Sequence, residues 1–301
     1  MALRVATSLD ADGTPVMSEA ATDGESPALT TTRFEILFDR YLDPRTAIRQ
    51  AVCIRSDTAP VAGFDSCAGG IFLRPTYDPV TRVVTYYQEN DSVELAPDTV
   101  YAVTVLRPRD GGDVGIRAFD GAALEASRTF LLRTAAAPAG TKTDAPPEAD
   151  LTMCADDKTG VVGVLVPCAG GSCHGNSLAS AAMELSLGTR RGIETTALKA
   201  AKETQMGANA DQPAVNPVRF GADMPIIAPN DAGSSYLLYK ILARTPVDAD
   251  TLADGETDRL LGGIVIGAPM PLGKGYDPLA EDDVKLLSQW IQRGAVCAPT
   301  E

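Results

Sequence analysis

Histidine is nearly absent from this sequence: His174 is the single one in 301 residues. A structural zinc site draws on about four Cys or His ligands, so one imidazole among scattered thiols supplies a poorly spaced set. The same scarcity leaves a Ser-His-Asp hydrolase with one candidate base, and no glycine loop of the phosphate-cradling kind is present. No stretch of about 18 consecutive apolar residues occurs, which excludes a membrane-spanning helix on sequence grounds. Basic residues are outnumbered as well: 26 Lys and Arg face 40 Asp and Glu, for a net charge of −14 and a pI near 4.5. Nucleic acid and anionic membranes recruit clustered cations, so neither is expected as a partner, and a basic protein surface suits this charge better. The opening residues, MALRVATSLDADGTPV, lack the charged and apolar regions of a secretory signal, so an exported form is expected to have had its leader removed.

What the chain has in quantity is turn residues, with 27 Gly and 21 Pro against one Trp, eight Tyr and seven Phe. A loop-rich chain of this length is expected to form two domains, each able to bury its own core. Residues 1–26 are rich in small and polar side chains and are expected to be a flexible lead-in. From Thr31 the pattern changes. Phe34, Ile36 and Phe38 alternate with Arg33, Glu35 and Leu37, the period-two signature of a half-buried strand. Further strand-like runs at 51–55, 70–74, 82–87, 99–106 and 127–134, divided by Pro, Gly and Asp clusters, predict an all-β sandwich over residues 27–134. The segment AAAPAGTKTDAPPEAD, residues 135–150, reads as an extended linker.

Past the linker the apolar period becomes helical. Helices are expected over 191–206 and 234–244, the second presenting Leu237, Leu238, Ile241 and Leu242 as an apolar face. The clearest covers 280–293. Its first turn holds Glu281, Asp282 and Asp283, where the helix dipole favours anions, and it closes on Arg293-Gly294, with Val284, Leu287, Trp290 and Ile291 as its buried stripe. The expectation for residues 151–301 is a mainly α domain.

The six cysteines stand at 53, 67, 154, 168, 173 and 297, and His174 directly follows Cys173. The segment PCAGGSCHG, residues 167–175, has the form of a c-type haem attachment site: two thiols reach the two vinyl groups on one porphyrin edge while the next imidazole reaches the iron. Four residues separate Cys168 from Cys173 where the usual spacing has two, and Gly170 and Gly171 would let the extra residues bulge. The plainer alternatives are a disulfide between Cys168 and Cys173 with an incidental histidine, and a zinc site. Electron-carrying haem takes a second axial ligand, commonly a methionine thioether from a distant loop, and GAPMPLG at 267–273 supplies Met270. An ordinary loop methionine is the alternative reading. Met224, in Asp223-Met224-Pro225, is the runner-up ligand, whereas Met183 and Met206 fall on expected helices as packing residues.

In order, FEILFDRYLDP, YDPVTRVVTYYQ and LAPDTVYAVTV resemble the bacterial Ig-like domains of surface-layer and secreted proteins over residues 27–134, a resemblance that implies a spacer or presentation module. DAGSSYLLYKIL at 231–242 and APMPLGKGYDPLAEDDVKLLSQWIQRGA at 268–295 resemble the cytochrome c-like domains of planctomycete and myxobacterial secreted proteins. Those domains share the order Cys-His, a Ser-x-Leu-Leu helix, a Met-Pro loop and a Trp-containing last helix, and the likeness covers residues 151–301. It implies one covalent haem c with His174 as proximal and Met270 as distal ligand. Because cytochrome c folds bring their terminal segments together, it further implies a Cys154–Cys297 disulfide. Cys53 and Cys67 both lie in the expected β-domain and are expected to pair there, since pairing within a domain avoids straining the linker.

The fold class expected is therefore an all-β Ig-like sandwich followed by a mainly α cytochrome c-like domain. The function expected is single-electron transfer with a basic redox partner, by a carrier rather than an enzyme, in the periplasm, at the outer membrane or outside the cell. Two alternatives stay open: a haem enzyme or ligand sensor with an open sixth site, for which no second histidine could serve as a distal acid-base, and a haem-free scaffold with every cysteine oxidised.

Overall fold

A computed structural model describes residues 1–9, 15–19, 27–30, 33–57, 61, 67–87, 95–108, 114–136, 151–154, 160–170, 173–175, 185–197, 224–265, 267–272 and 277–297. The chain divides into two compact units, residues 1–77 with 82–146 and residues 78–81 with 147–301. The division at 146 falls inside the segment expected to be the linker, whose residues 137–150 lie outside the described ones.

Nine strands occur among the described residues: β1 (Ala2–Leu9), β2 (Pro15–Glu19), β3 (Pro27–Ala28), β4 (Phe34–Leu37), β5 (Val52–Arg55), β6 (Arg74–Asp78), β7 (Val83–Tyr87), β8 (Val100–Val105) and β9 (Arg128–Thr134). They form two sheets, ordered β2-β1-β4-β7-β6 and β3-β9-β8-β5. The alternation read in the sequence is realised in β4, whose Phe34 and Ile36 are buried while Glu35 and Leu37 are partly exposed. Antiparallel pairing sets Phe34 beside Tyr86 and Val5, and Ile36 beside Val84 and Leu3. Ile54, Val103, Val105, Phe130 and Leu132 of the other sheet complete one shared core.

Residues 2–9 and 15–19 are a correction to the expected lead-in. They are the paired strands β1 and β2, joined to the sheet through β4. Their formation rests on Leu3 and Val5, which alternate and are fully buried. The run expected over 70–74 is also displaced: Ile71 makes only an isolated bridge to Ile54, and the strand begins at Arg74.

The second unit holds α1 (Val161–Leu165), α2 (Arg190–Gly192, continued by one wider π turn over Ile193–Ala197), α3 (Tyr236–Leu242), α4 (Glu256–Gly263) and α5 (Glu281–Gln292). The sandwich-plus-mainly-α fold class is overturned: the chain is a mixed α/β fold, 27% helical and 25% strand, and its described residues form two sheets and five short helices with no mainly α cytochrome-like domain among them. Interruptions in the sequence account for the short helices. Pro225, Pro229, Pro246, Pro269, Pro271 and Pro278 lack an N–H to donate, and Asn230, Asp248, Gly255 and Gly267 take positive φ. The helix expected over 191–206 is helical over its described part, to Ala197; its remainder with Met206, and Met183, lie outside the described residues.

Among the described residues only α5 reaches three turns, and it does so as expected, with Glu281, Asp282 and Asp283 in its first turn and Val284, Leu287, Trp290 and Ile291 buried. Gly294, at φ +96°, ends it, and the chain then folds back so that Trp290 Nε1 donates to the Val296 carbonyl at 2.9 Å. That return places Cys297 in a disulfide with Cys154. The turn 78–81 groups with this unit. There Asp78 accepts from Val80 N–H at 2.9 Å and from Ser288 Oγ at 2.7 Å, and burial holds its carboxyl above the usual range.

Candidate functional site

The Cys-His segment follows directly on α1. Val161, Val162, Val164 and Leu165 are buried and seat this short helix, which passes at Val166 into a 3-10 turn ending on Cys168. The chain then loops back on itself: Cys173 N–H donates to the Gly170 carbonyl at 2.6 Å, and His174 N–H donates to the Cys168 carbonyl at 2.9 Å. This closure draws Cys168, Cys173 and His174 into one small loop. Cys168 is buried and Cys173 and His174 are half-buried.

Oxidation state separates these two thiols from the other four cysteines. Cys53 pairs with Cys67 and Cys154 with Cys297, both as expected, while Cys168 and Cys173 are free. Burial, reinforced by the neighbouring Cys173, pushes the Cys168 thiol up to about 11. At neutral pH it is therefore protonated and a poor nucleophile.

Behind His174 lies a polar framework that no sequence pattern singles out. The His174 carbonyl accepts from Leu187 N–H at 3.0 Å, and Ser186 Oγ donates to the Gly175 carbonyl at 2.8 Å. Thr196 Oγ1 accepts from Ser186 N–H at 2.9 Å and lies 2.7 Å from the Gly192 carbonyl. Gly192 must be glycine here, because a Cβ would stand 2.3 Å from Ser186 Oγ and 2.9 Å from the Ser186 carbonyl oxygen. The one local sign was Thr189, whose hydroxyl caps α2 by accepting from Gly192 N–H at 3.0 Å.

Both candidate methionines are tied to α3. Met224 is buried, and the carbonyls of Pro225 and Ile226 after it accept from Tyr236 and Leu237 N–H at 3.1 and 3.0 Å. Met270 is half-buried in a loop at the far end of the same helix, its N–H donating to the Lys240 carbonyl at 3.0 Å. Ile227 N–H donates to the Ala197 carbonyl at 2.8 Å, joining the α3 region to the framework behind His174. Burial lowers the Lys240 amine to about 8.

No group of three or more His, Cys, Asp or Glu side chains suited to a bare metal ion occurs among the described residues. The donor set that is present, two reduced thiols on one closed loop with an imidazole next in sequence, fits covalently attached haem by its chemistry. No helix among the described residues is long and apolar enough to cross a membrane, and the two disulfides fit a chain matured outside the reducing cytosol. No protein-family model matches the chain, and no curated protein is significantly similar to it.

Proposed function

We propose that the second unit carries one haem c, attached through Cys168 and Cys173, and that the protein is a single-electron carrier. One observation carries this reading: of six cysteines, four are oxidised in pairs, and the two left as thiols are those that precede the only histidine. That neither is joined in a disulfide favours this reading over the fully oxidised scaffold.

Haem c, when bound, supplies a ferric–ferrous couple that accepts and releases one electron. Each thiol would add across one vinyl group, its sulfur bonding one vinyl carbon and its hydrogen passing to the other, so attachment consumes no oxidant. His174 would bind the iron through its imidazole, and its main chain is already held by Cys168 and Leu187. Met270, on the loop fixed to Lys240, would supply a thioether as the second protein ligand to the iron. Met224 ranks second because the residue is 5% exposed and already belongs to the core. The net charge of −14 would steer a basic redox partner into brief encounters. We assign the protein to an extracytoplasmic setting, periplasmic, at the outer membrane or extracellular.

Expression in a host with cytochrome c maturation machinery tests the reading. The intact mass should rise by one haem, and denaturing electrophoresis should retain haem stain on the chain. Cys168→Ala with Cys173→Ala should lose both signals. Protein from such a host that carries no haem overturns the proposal.

A further inference from the structure

The loop that carries Met270 is held by one ridge of one helix. Tyr236, Lys240 and Arg244 recur every four residues along α3 and the turn that follows it, so they line one side. The Lys240 amine stands 6.0 Å from the Tyr236 ring centroid, and a Cβ added at Gly267, where the loop begins, would lie 3.9 Å from that amine. Further along, the Lys240 carbonyl accepts from Met270 N–H at 3.0 Å, and the Arg244 guanidinium donates to the Pro271 carbonyl. Consecutive loop residues are thus each fixed, through a main-chain atom, to a different residue of the ridge.

The two fastenings differ in kind. Lys240 contributes a backbone carbonyl, which any residue at 240 would offer. Arg244 contributes a side chain, and its own backbone is set by N–H donation to the Ile241 carbonyl at 2.9 Å. Proline has no N–H, so the Pro271 main chain can be held only through its carbonyl. Pro271 itself is buried, and there a charge-assisted hydrogen bond is stronger than at an exposed site.

We infer that Arg244 is a positioning residue for the sixth haem ligand: by fixing the Pro271 carbonyl it keeps the Met270 thioether presented, so that ligation costs little further ordering of the loop. The inference rests on the haem reading and on Met270 as the distal ligand. It differs from a merely structural role in its consequence, which is competition between Met270 and an added ligand.

The experiment titrates imidazole into the ferric haem protein and follows the weak thioether-to-iron charge-transfer band. Arg244→Ala should bind imidazole about tenfold more tightly than wild type, the equivalent of about 1.4 kcal/mol, with a weakened band and an unchanged far-ultraviolet circular dichroism spectrum. Arg244→Lys, which restores a cationic donor, should return to within about threefold of wild type. Met270→Ala separates the two readings. Loss of the band in Met270→Ala, together with wild-type imidazole affinity and an intact band in Arg244→Ala, overturns the positioning role and leaves the ligand assignment standing. An unchanged band in Met270→Ala overturns both. Should Arg244→Ala not yield folded haem protein, Arg244→Gln, whose shorter neutral amide gives up the charged fork that reaches Pro271 while keeping the side chain's stem, carries the same comparison.

Discussion

The two units of this chain solve the same problem, burying apolar surface without stranding polar backbone, by different routes. The first pairs strands, so that Phe34 and Ile36 find partners through a regular ladder and the backbone groups are satisfied by the same pairing that aligns the side chains. The second has helices too short to stand alone, and it fixes them with individual bonds: Leu187 to His174, Ile227 to Ala197, Leu237 to Ile226 and Met270 to Lys240. A repeating ladder spreads the loss of one contact over its neighbours. A set of single fastenings does not, and in this protein the candidate site lies wholly in the second kind of structure.

The disulfides give the largest test of that difference. Cys53–Cys67 closes a separation of 14 residues and Cys154–Cys297 one of 143. On the chain-entropy argument their loss costs about 3 and about 5 kcal/mol respectively. Paired Cys→Ala substitutions followed by urea denaturation should therefore destabilise the second unit more than the first. Equal losses would show that denatured-state structure, and not loop length, governs both.

Core truncation sharpens the same contrast. Trp290→Ala removes a fully buried indole and its bond to Val296 and should cost about 3–5 kcal/mol, with release of the 294–297 return. In the first unit Phe34→Ala should cost a similar amount but leave the thiol reactivity of Cys173 unchanged. Gly192→Ala is smaller, about 1–3 kcal/mol from forced displacement of Ser186, yet it should raise hydrogen exchange at the Leu187 amide, which is bonded to His174. If that amide stays protected, the framework does not hold the histidine strap.

Two milder perturbations follow from titration. Burial raises the Asp78 carboxyl above its ordinary 3.8, with bonds from Ser288, Val80 and Thr81 opposing the rise. A raised folded-state value means that the folded form prefers the protonated acid. Its contribution is complete below the unfolded value and is lost as pH rises through the folded one. The urea midpoint of the second unit should accordingly fall as pH increases from about 4, and Asp78→Asn should flatten that slope. Smallest in energy is the reactivity of Cys168, whose thiol is raised to about 11. Before haem attachment, iodoacetamide at pH 8 should modify the half-buried Cys173 before Cys168, as read by peptide mass.

Legibility followed the same division. The strand periodicity of Phe34–Phe38 and the amphipathic stripe of α5 were readable because local pattern and tertiary burial agree there. β1 and β2 were missed because small and polar residues surround the informative pair, Leu3 and Val5, and only pairing with β4 reveals their role. Cys168, Cys173, His174, Met224 and Met270 were all named from sequence, since thiols, imidazole and thioether advertise their chemistry by type. Ser186, Thr196, Gly192 and Arg244 were not, because their contribution is a geometric relation to another residue.

By itself the sequence determined the chemistry available to this protein: six thiols, one imidazole, an acidic surface, a division into two units, and helix and strand signals wherever the apolar period runs unbroken. Tertiary structure alone decided the rest. It fixed that the described residues of the second unit form short helices, because prolines and positive-φ residues interrupt the pattern and long-range bonds then take over the ordering. It supplied the route by which the expected Cys154–Cys297 pair meets, since the return after Gly294 brings the final segment back to Trp290. And it set Arg244 against Pro271, a contact between residues 27 apart in the chain that no local pattern encodes, because a side chain's reach across a fold depends on where two backbones meet.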